Sequence, residues 1–224
     1  MQFSINRQVF IKSLNDVSRA ISSRTTIPIL TNIKIVVSQD ELILTGSNSD
    51  ISIETRIEQS DTSAQLVIGS TGGITLPATF FANIVKNLPA DDLTLAVDGL
   101  RASITSGASA FTINGQDVRN YPQLPELDDV QSLSVSAAQL VDIISQTKIS
   151  ASTQESRPIL TGIHLALNGN YVKAVTTDSH RLSQRIVTLT GTDAQVQADV
   201  IMPAKSFNEL QSLLEGQDLS LIHI

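Results

Sequence analysis

The chain has 224 residues, a formal net charge of −7 at neutral pH and an apolar share of 41%, which is the composition of a soluble fold with a sizeable core. It contains no cysteine and only three histidines, so disulfides and thiolate metal sites are excluded and we expect no metal or other cofactor. No stretch approaches the roughly 20 apolar residues that span a bilayer, and the N-terminus lacks a secretory pattern. The sequence therefore predicts a cytoplasmic protein with no membrane partner.

The first half of the chain shows the alternation of an α+β module. A short strand is predicted at 3–5, and a helix follows in which Phe10, Leu14, Val17 and Ile21 recur at helical spacing. Further strands are predicted at 32–37, 42–45, 51–57, 93–97, 102–104 and 110–113. A second helix is predicted at 78–88, after Pro77. The glycine-rich stretch at 69–73 lacks the lysine of a phosphate-binding loop, so we interpret it as a flexible hairpin.

The second half repeats the first at a fixed offset. Pro28-Ile29-Leu30-Thr31 recurs as Pro158-Ile159-Leu160-Thr161, an offset of 158 − 28 = 130 positions. After a slip of four residues, Pro77 and Phe81 recur as Pro203 and Phe207. We predict a domain duplication with domains at 1–121 and 131–224 and a linker at 122–130, where two prolines exclude a helix or a central strand. Each copy is predicted to hold antiparallel strands with two helices on one face.

Positive side chains lie opposite the apolar stripes of the predicted helices. Lys12 and Arg19 occupy this face in the first helix, and Lys86 occupies it in the second. An alternative is that these cations are only solvated, and the second copy favours it, because Asp142 replaces Lys12 and Ile149 replaces Arg19.

No catalytic constellation is present. Asp178-Ser179-His180 contains the residue types of a hydrolase triad, but adjacent positions do not give the geometry of base, nucleophile and orienting group. His164 lies in an alternating apolar strand and is expected to be structural. The sequence predicts a protein that is not an enzyme.

The last six residues, at 219–224, resemble a translated sequencing adaptor. We therefore expect the chain to stop before the natural end of the protein, with the second domain incomplete.

Several motifs follow one another in order: Arg24-Thr25-Thr26-Ile27-Pro28-Ile29-Leu30, Leu76-Pro77-Ala78, Tyr121-Pro122, Arg157-Pro158-Ile159-Leu160, Thr177-Asp178-Ser179-His180-Arg181-Leu182 and Met202-Pro203-Ala204-Lys205. In this set the sequence resembles the bacterial DNA polymerase III beta subunit, the sliding clamp, over residues 1–218. That family is built from three modules per chain, so the resemblance implies a clamp truncated to its first two domains, with the third absent. It implies the processivity fold, with sheets outside and helices on the inner face.

The resemblance also implies a function. Members of the family form a head-to-tail homodimeric ring when full length, encircle double-stranded DNA and confer processivity on DNA replication. DNA contact is implied for Arg24, Gln154 and Lys205, and the helix faces add Lys12, Arg19 and Lys86 as weaker candidates. Contacts of this kind to phosphates hold without sequence preference and permit sliding.

A second implied site docks short linear motifs of DNA polymerase subunits, the clamp loader and repair proteins. Its residues in the second domain are Arg157, Leu160, Thr177, Ser179, His180, Arg181 and Leu182. Ser179 stands where many members have glycine, which blurs the floor of the pocket. The third module supplies the remainder, so we expect this chain to bind such peptides weakly.

The resemblance places Ile84 and Phe111 at the dimer interface; ordinary core packing is the alternative for both. Two other functions stay open: an adaptor of duplicated modules that never touches DNA, and a hydrolase that uses His180.

Overall fold

The computed structural model describes residues 1–48, 50–123, 132–188, 197–214 and 219–223. The chain divides into two compact units, Met1–Pro125 and Glu126–Ile224. The linker predicted at 122–130 lies for the most part outside the described residues, so its conformation stays a prediction. Among the described residues, no helix has the length and apolar character needed to cross a membrane.

The first unit is built from two antiparallel sheets and two helices. Its elements are β1 (Gln2–Asn6), α1 (Arg7–Ser18), β2 (Asn32–Val37), β3 (Glu41–Ser47), β4 (Ser52–Glu58), β5 (Val67–Ser70), β6 (Gly72–Pro77), α2 (Ala78–Lys86), β7 (Asp92–Asp98), β8 (Arg101–Ser106) and β9 (Ser109–Asn114). One sheet has the order β5-β1-β7-β8-β9 and the other β4-β3-β2-β6. Short 3₁₀ turns at Pro28–Thr31 and Val118–Asn120 complete the unit.

The second unit repeats this plan. Its elements are β10 (Ser132–Ser136), α3 (Ala137–Thr147), β11 (Gly162–Asn168), β12 (Tyr171–Thr177), β13 (Leu182–Thr188), β14 (Gln197–Pro203), α4 (Ala204–Leu213) and β15 (Leu219–His223), with 3₁₀ turns at Lys148–Ser150 and Pro158–Thr161. The order β13-β12-β11-β14 matches that of β4-β3-β2-β6, strand for strand. β10 pairs with β15 in a second sheet, as β1 pairs with β7.

Both units begin their first helix with the same device. The Asn6 side chain accepts from the backbone amides of Gln8 and Val9 at 3.0 and 3.3 Å, and Ser136 Oγ accepts from the Gln139 amide at 3.1 Å. Such caps satisfy amides that the first turn of a helix leaves without partners. The two cap residues are again 130 positions apart (136 − 6), as the duplication requires.

The helices cover the sheets through apolar faces. α1 buries Phe10, Leu14 and Val17, and the Phe10 ring packs edge-on against Phe81 of α2, with the ring centroids 5.9 Å apart. α3 buries Leu140 and other apolar residues in a core shared with the second unit's four-stranded sheet. Helices on one face leave their polar sides outward, which confirms the predicted α+β plan.

The hairpin interpretation of residues 69–73 was wrong. Val67–Ser70 pairs with β1 in one sheet, whereas Gly72–Pro77 pairs with β2 in the other, so the chain passes between sheets here. Gly72 adopts a φ of +146°, which residues other than glycine rarely adopt. This backbone conformation lets the chain pass from one sheet to the other between Ser70 and Gly72.

Candidate functional site

The residues predicted to dock peptides lie on two neighbouring segments of the second unit. The first segment is the 3₁₀ turn Pro158–Thr161, in which the Leu160 amide donates to the Arg157 carbonyl at 3.0 Å and Thr161 Oγ1 donates to the Pro158 carbonyl at 2.8 Å. Proline fixes φ at the start of this turn. The result is a rigid turn with Leu160 half-buried and Ile159 65% exposed.

The second segment is the turn between β12 and β13, which Asp178 organises. Its Oδ1 accepts from the backbone amides of His180 and Arg181, both at 3.0 Å, and its Oδ2 accepts from Arg181 Nε at 2.9 Å. The amides of His180 and then Arg181 hold the pKa of Asp178 below its usual range. Thr177 Oγ1 adds a bond from the Ser179 amide at 3.1 Å and donates to the Arg181 carbonyl at 2.8 Å.

One contact joins the two segments. Arg157 Nη1 donates to Ser179 Oγ at 3.4 Å, a long bond that brings the 3₁₀ turn to the β12–β13 turn. Leu182 lies at the start of β13 with its side chain 63% exposed. We call these two segments, Arg157–Thr161 and Thr177–Leu182, the unit 2 groove. The structure thus brings the predicted peptide-docking residues to one surface.

The His180 backbone, rather than its ring, engages Asp178. The carboxylate is occupied by two amides and a guanidinium, so it does not orient the imidazole as a hydrolase triad would. Among the described residues, no group of three or more His, Asp or Glu side chains is arranged to hold a metal ion.

The residues predicted to contact DNA lie in matching loops and on helices. Arg24 and Gln154 are 130 positions apart (154 − 24), and each donates its backbone amide to a serine two residues earlier, Ser22 or Ser152, at 3.1 Å. Both side chains are exposed. The duplication therefore presents one loop position twice, and Lys205 is exposed in the first turn of α4.

The α1 face carries a negative side chain between its two cations. Asp16 follows Lys12 by four positions and precedes Arg19 by three, which are neighbouring positions on a helix. Burial raises the pKa of Asp16, and the charges of Lys12 and Arg19 act in the opposite direction. Asp16 therefore reduces the net positive charge of this face.

The start of α1 contacts the end of α2. Arg7, at the start of α1, donates to the carbonyl of Lys86, at the end of α2, at 3.2 Å. The Lys86 side chain is exposed at this junction. In the second unit, Asp142 instead pairs with Arg185 of β13 at 2.7 Å, and Ile149 is exposed. The cationic face predicted on the first helix is thus confined to the first unit.

The two predicted interface residues are not core residues. Phe111 lies on β9, the edge strand of the five-stranded sheet, and its side chain is exposed. Ile84 is half-buried on α2, and Phe80, one helical turn earlier on the same face, is exposed. Sequence reasoning missed Phe80, although the spacing of Phe80 and Ile84 is that of an apolar pair on one helix face.

Comparison with known proteins matches both units. The sequence model of the DNA polymerase III beta subunit N-terminal domain covers residues 1–125, and that of its central domain covers residues 134–224. The chain belongs to the DNA polymerase III beta subunit family. The clamp family's N-terminal and central domains therefore account for the duplication.

Individual members of the family are similar over nearly the whole chain. The beta sliding clamp of Halalkalibacterium halodurans is 44% identical over 97% of this chain and 58% of that protein. The DNA polymerase sliding clamp of Bacillus subtilis has a TM-score of 0.94 and 39% identity over 100% of this chain and 59% of that chain. A sliding clamp of Pseudomonas aeruginosa bound to griselimycin has a TM-score of 0.90 and 30% identity, and covers 100% of this chain and 59% of that chain. The chain therefore spans a little under 60% of the length of these family members.

Two residues of this clamp-family chain matter to the groove although the motif did not single them out. Asp178 builds the β12–β13 turn, and its signal is an acidic residue at the start of a polar turn, where its side chain bonds to amides two and three residues later. Ile159 is the most exposed apolar side chain of the 3₁₀ turn. The sequence pattern does not distinguish Ile159 from its counterpart Ile29, which is 9% exposed.

Proposed function

We propose that the chain is part of a DNA polymerase processivity factor that encircles double-stranded DNA and has no catalytic activity of its own. The observation that carries this proposal is the duplication of one clamp-family module, with the same strand order and the same Arg24 and Gln154 loop in each copy. A ring holds DNA by topology, so it needs only weak phosphate contacts from residues such as Lys12 and Lys205. This is compatible with a net charge of −7, which disfavours tight non-specific binding.

The proposal includes a homodimeric ring of the full-length protein. β9 offers an unpaired edge beside the exposed Phe111, and α2 offers Phe80 and Ile84. An exposed apolar edge strand is a template for pairing with another chain. We propose that the partner subunit covers these three residues in the ring, and that the protein acts in the cytoplasm.

Retention on DNA of different topology tests encirclement. The full-length protein that contains this sequence is loaded on nicked circular DNA by its clamp loader and then passed through a sizing column. We expect retention on the circle and loss after the circle is linearised, because a ring slides off a free end. Equal retention on both forms would indicate ordinary DNA binding, and retention on neither would favour an adaptor that never touches DNA.

A variant at the sheet edge is the matched test of ring closure. Phe111→Asp places a charge at the proposed interface, so we expect a monomer in analytical ultracentrifugation and no retention on circular DNA. Leu100→Asp changes another exposed apolar residue, in the turn between β7 and β8, and serves as the control. A dimeric Phe111→Asp protein that still stays on circles would refute the interface.

We further propose that the unit 2 groove docks short peptide motifs of polymerase subunits, the clamp loader and repair proteins. The exposed Leu182 and Ile159 beside the rigid Asp178 turn support this, because apolar anchors set in a preformed pocket carry most of the affinity of such sites. Leu182→Ala is expected to weaken peptide binding in calorimetry. Ile186→Ala, on the same strand and 52% exposed, is the control and should bind as the unchanged protein does.

A further inference from the structure

A short segment at the end of α3, residues 147–152, is hydrogen-bonded to one wall of the unit 2 groove and to a strand that leads into the other. The amide of Ser152 donates to the carbonyl of Leu160 at 2.8 Å, which fixes the segment to the 3₁₀ turn that forms the first wall. The second wall is the turn between β12 and β13, and Thr176 directly precedes it. Thr176 Oγ1 donates to the Thr147 carbonyl at 2.5 Å. The segment therefore connects the two walls.

A pair of serine hydroxyls adds a third connection. Ser150 Oγ and Ser183 Oγ lie 2.6 Å apart, and Ser150 is only 2% exposed. Ser183 directly follows Leu182, the exposed apolar residue at the end of the second wall. Successive residues of a strand point to opposite faces, so the hydroxyl pair holds β13 from the face opposite to the Leu182 side chain.

Apolar residues occupy the matching positions of the first unit. Ala20 and Ile53 precede Ser150 and Ser183 by 130 positions each (150 − 20 and 183 − 53), and both are buried. Their side chains hold the helix end against the strand through apolar burial, which is not directional. The hydroxyl pair is therefore specific to the unit that carries the predicted docking residues.

The hydroxyl pair restricts where the second wall can lie, because a hydrogen bond sets both a distance and a direction. If β13 moved away from residues 147–152, the buried Ser150 hydroxyl would lose its partner where water does not replace it, which is unfavourable. Displaced arrangements of the wall are thereby disfavoured, and a peptide meets Leu182 already in place. Such preorganisation strengthens binding because less conformational entropy is lost when the peptide docks.

We propose that Ser150 and Ser183 are positioning residues for peptide docking, whose hydroxyl pair holds the second wall of the unit 2 groove, with Leu182, in its binding geometry. This inference rests on the proposed docking of peptides in that groove. Ser150 is buried, so it acts through Leu182 and not by contact with the peptide.

A double variant that removes both hydroxyls tests the proposal in the full-length protein that contains this sequence. Replacement of both partners leaves neither hydroxyl unpaired, so we expect Ser150→Ala/Ser183→Ala to keep the unfolding midpoint of the unchanged protein. Its affinity for a synthetic peptide with the motif of a polymerase subunit should fall about fivefold in calorimetry, which corresponds to about 1 kcal/mol. Hydrogen exchange in Thr177–Leu182, followed by mass spectrometry, should become faster, while exchange in β11 stays unchanged.

Two variants serve as controls. Ser145→Ala/Ser212→Ala also removes two hydroxyls, which donate to carbonyls of their own helices, α3 and α4, and it should change neither the affinity nor the exchange. Ser183→Thr retains a hydroxyl at the same position of β13, so it should bind the peptide as the unchanged protein does.

Unchanged exchange in Thr177–Leu182, or an unchanged peptide affinity, in the double variant would overturn the proposal. So would an affinity that falls only together with the unfolding midpoint, because the hydroxyls would then hold the unit folded rather than the wall in place. If the double variant does not fold, Ser183→Ala alone decides by the same readouts. No binding by the unchanged protein would reject the docking itself, whereas the exchange measurement, which needs no peptide, decides separately whether the hydroxyl pair holds the wall.

Discussion

Ser179 has a strained backbone conformation. Its φ is +79°, and the only other non-glycine residue with a positive φ among those described is Gln65. A left-handed conformation costs a side-chain residue about 1–2 kcal/mol, whereas glycine adopts it freely at an entropic cost of about 0.5–1 kcal/mol. We therefore expect Ser179→Gly to stabilise the second unit by about 0.5 kcal/mol in chemical denaturation, despite the loss of the long bond from Arg157.

Ser156→Gly is the control for this substitution. Ser156 is exposed in the loop before the same groove and has a negative φ, so glycine there adds freedom to the unfolded chain without relief of strain. It should be neutral or slightly destabilising. An equal gain from both substitutions would mean that the positive φ of Ser179 carries no cost.

Asp178 makes the stability of the turn between β12 and β13 depend on pH. The amides of His180 and Arg181 lower its pKa below the ordinary value of 3.8, so its contribution to stability is complete above that value and is lost as the pH falls through the lower, folded pKa. We expect Asp178→Asn to remove this contribution. The stability gap between the unchanged chain and the variant should narrow below pH 3.8 in acid titrations followed by NMR. A gap that is constant down to pH 2 would contradict this role.

Sequence motifs located the predicted groove residues but not the contacts that hold distant segments together. Arg157 and Thr177 belong to two motifs that can be recognised from the sequence alone, and a hydrogen bond joins their segments in the structure. Tyr121 was noted only as part of the Tyr121-Pro122 motif at the end of the first domain, because its contact with Ile29 joins residues more than ninety positions apart (121 − 29 = 92). A contact between residues so far apart in the sequence leaves no local pattern.

Different residues allow the close contact between α1 and β3 in the first unit and between α3 and β12 in the second. A Cβ on Gly46 would lie 2.1 Å from the Val17 carbonyl oxygen, so β3 can approach α1 only with glycine at this position. At the matching position Thr176 Oγ1 donates to the carbonyl of Thr147 at 2.5 Å, where the threonine hydroxyl bonds to the helix. The two pairs are each 130 positions apart (176 − 46 and 147 − 17).

Gly46→Ala is therefore expected to destabilise the first unit. Overpacking of this kind costs about 1–3 kcal/mol, and here the obstructing atom is backbone and cannot rotate away. The midpoint of urea denaturation should fall accordingly. Gly69→Ala is the control, because its Cβ would lie 3.5 Å from Gln2, an ordinary contact, and we expect a change within about 0.5 kcal/mol. Equal effects would exclude the clash as the cause.

Strands and helices whose apolar residues recur at a regular spacing were predicted well. Segments whose structure depends on which distant strand they pair with were not. The strand predicted at 32–37 is β2 residue for residue, because alternation marks a half-buried strand locally. The segment 69–73 carries glycines that suit a hairpin equally well as a passage between sheets. Which strand pairs with β5 or β6 depends on residues far away along the chain, and periodicity does not encode it.

At the scale of the whole molecule, the duplication was evident from sequence because each copy must bury the same faces. Offset matches predicted a duplicated α+β module, and the two four-stranded sheets have the same strand order. The same comparison shows where the copies diverge: the first carries the cations of α1, and in the second Asp142 and Ile149 replace Lys12 and Arg19. Duplication therefore supplied two scaffolds, on which different surfaces are proposed to meet DNA and peptides.

The span of the chain leads to a prediction about peptide affinity. The chain covers 58% of a family member, and the resemblance implies that a third module supplies part of the pocket, so we propose that the unit 2 groove provides only some of the anchors for a peptide. We expect the 224-residue chain to bind a polymerase-derived motif at least about tenfold more weakly than the full-length protein, or about 1.4 kcal/mol, in calorimetry. Leu182→Ala should weaken both proteins, which shows that the shared wall is used. Equal affinity of the two proteins would mean that Arg157–Thr161 and Thr177–Leu182 form the entire site.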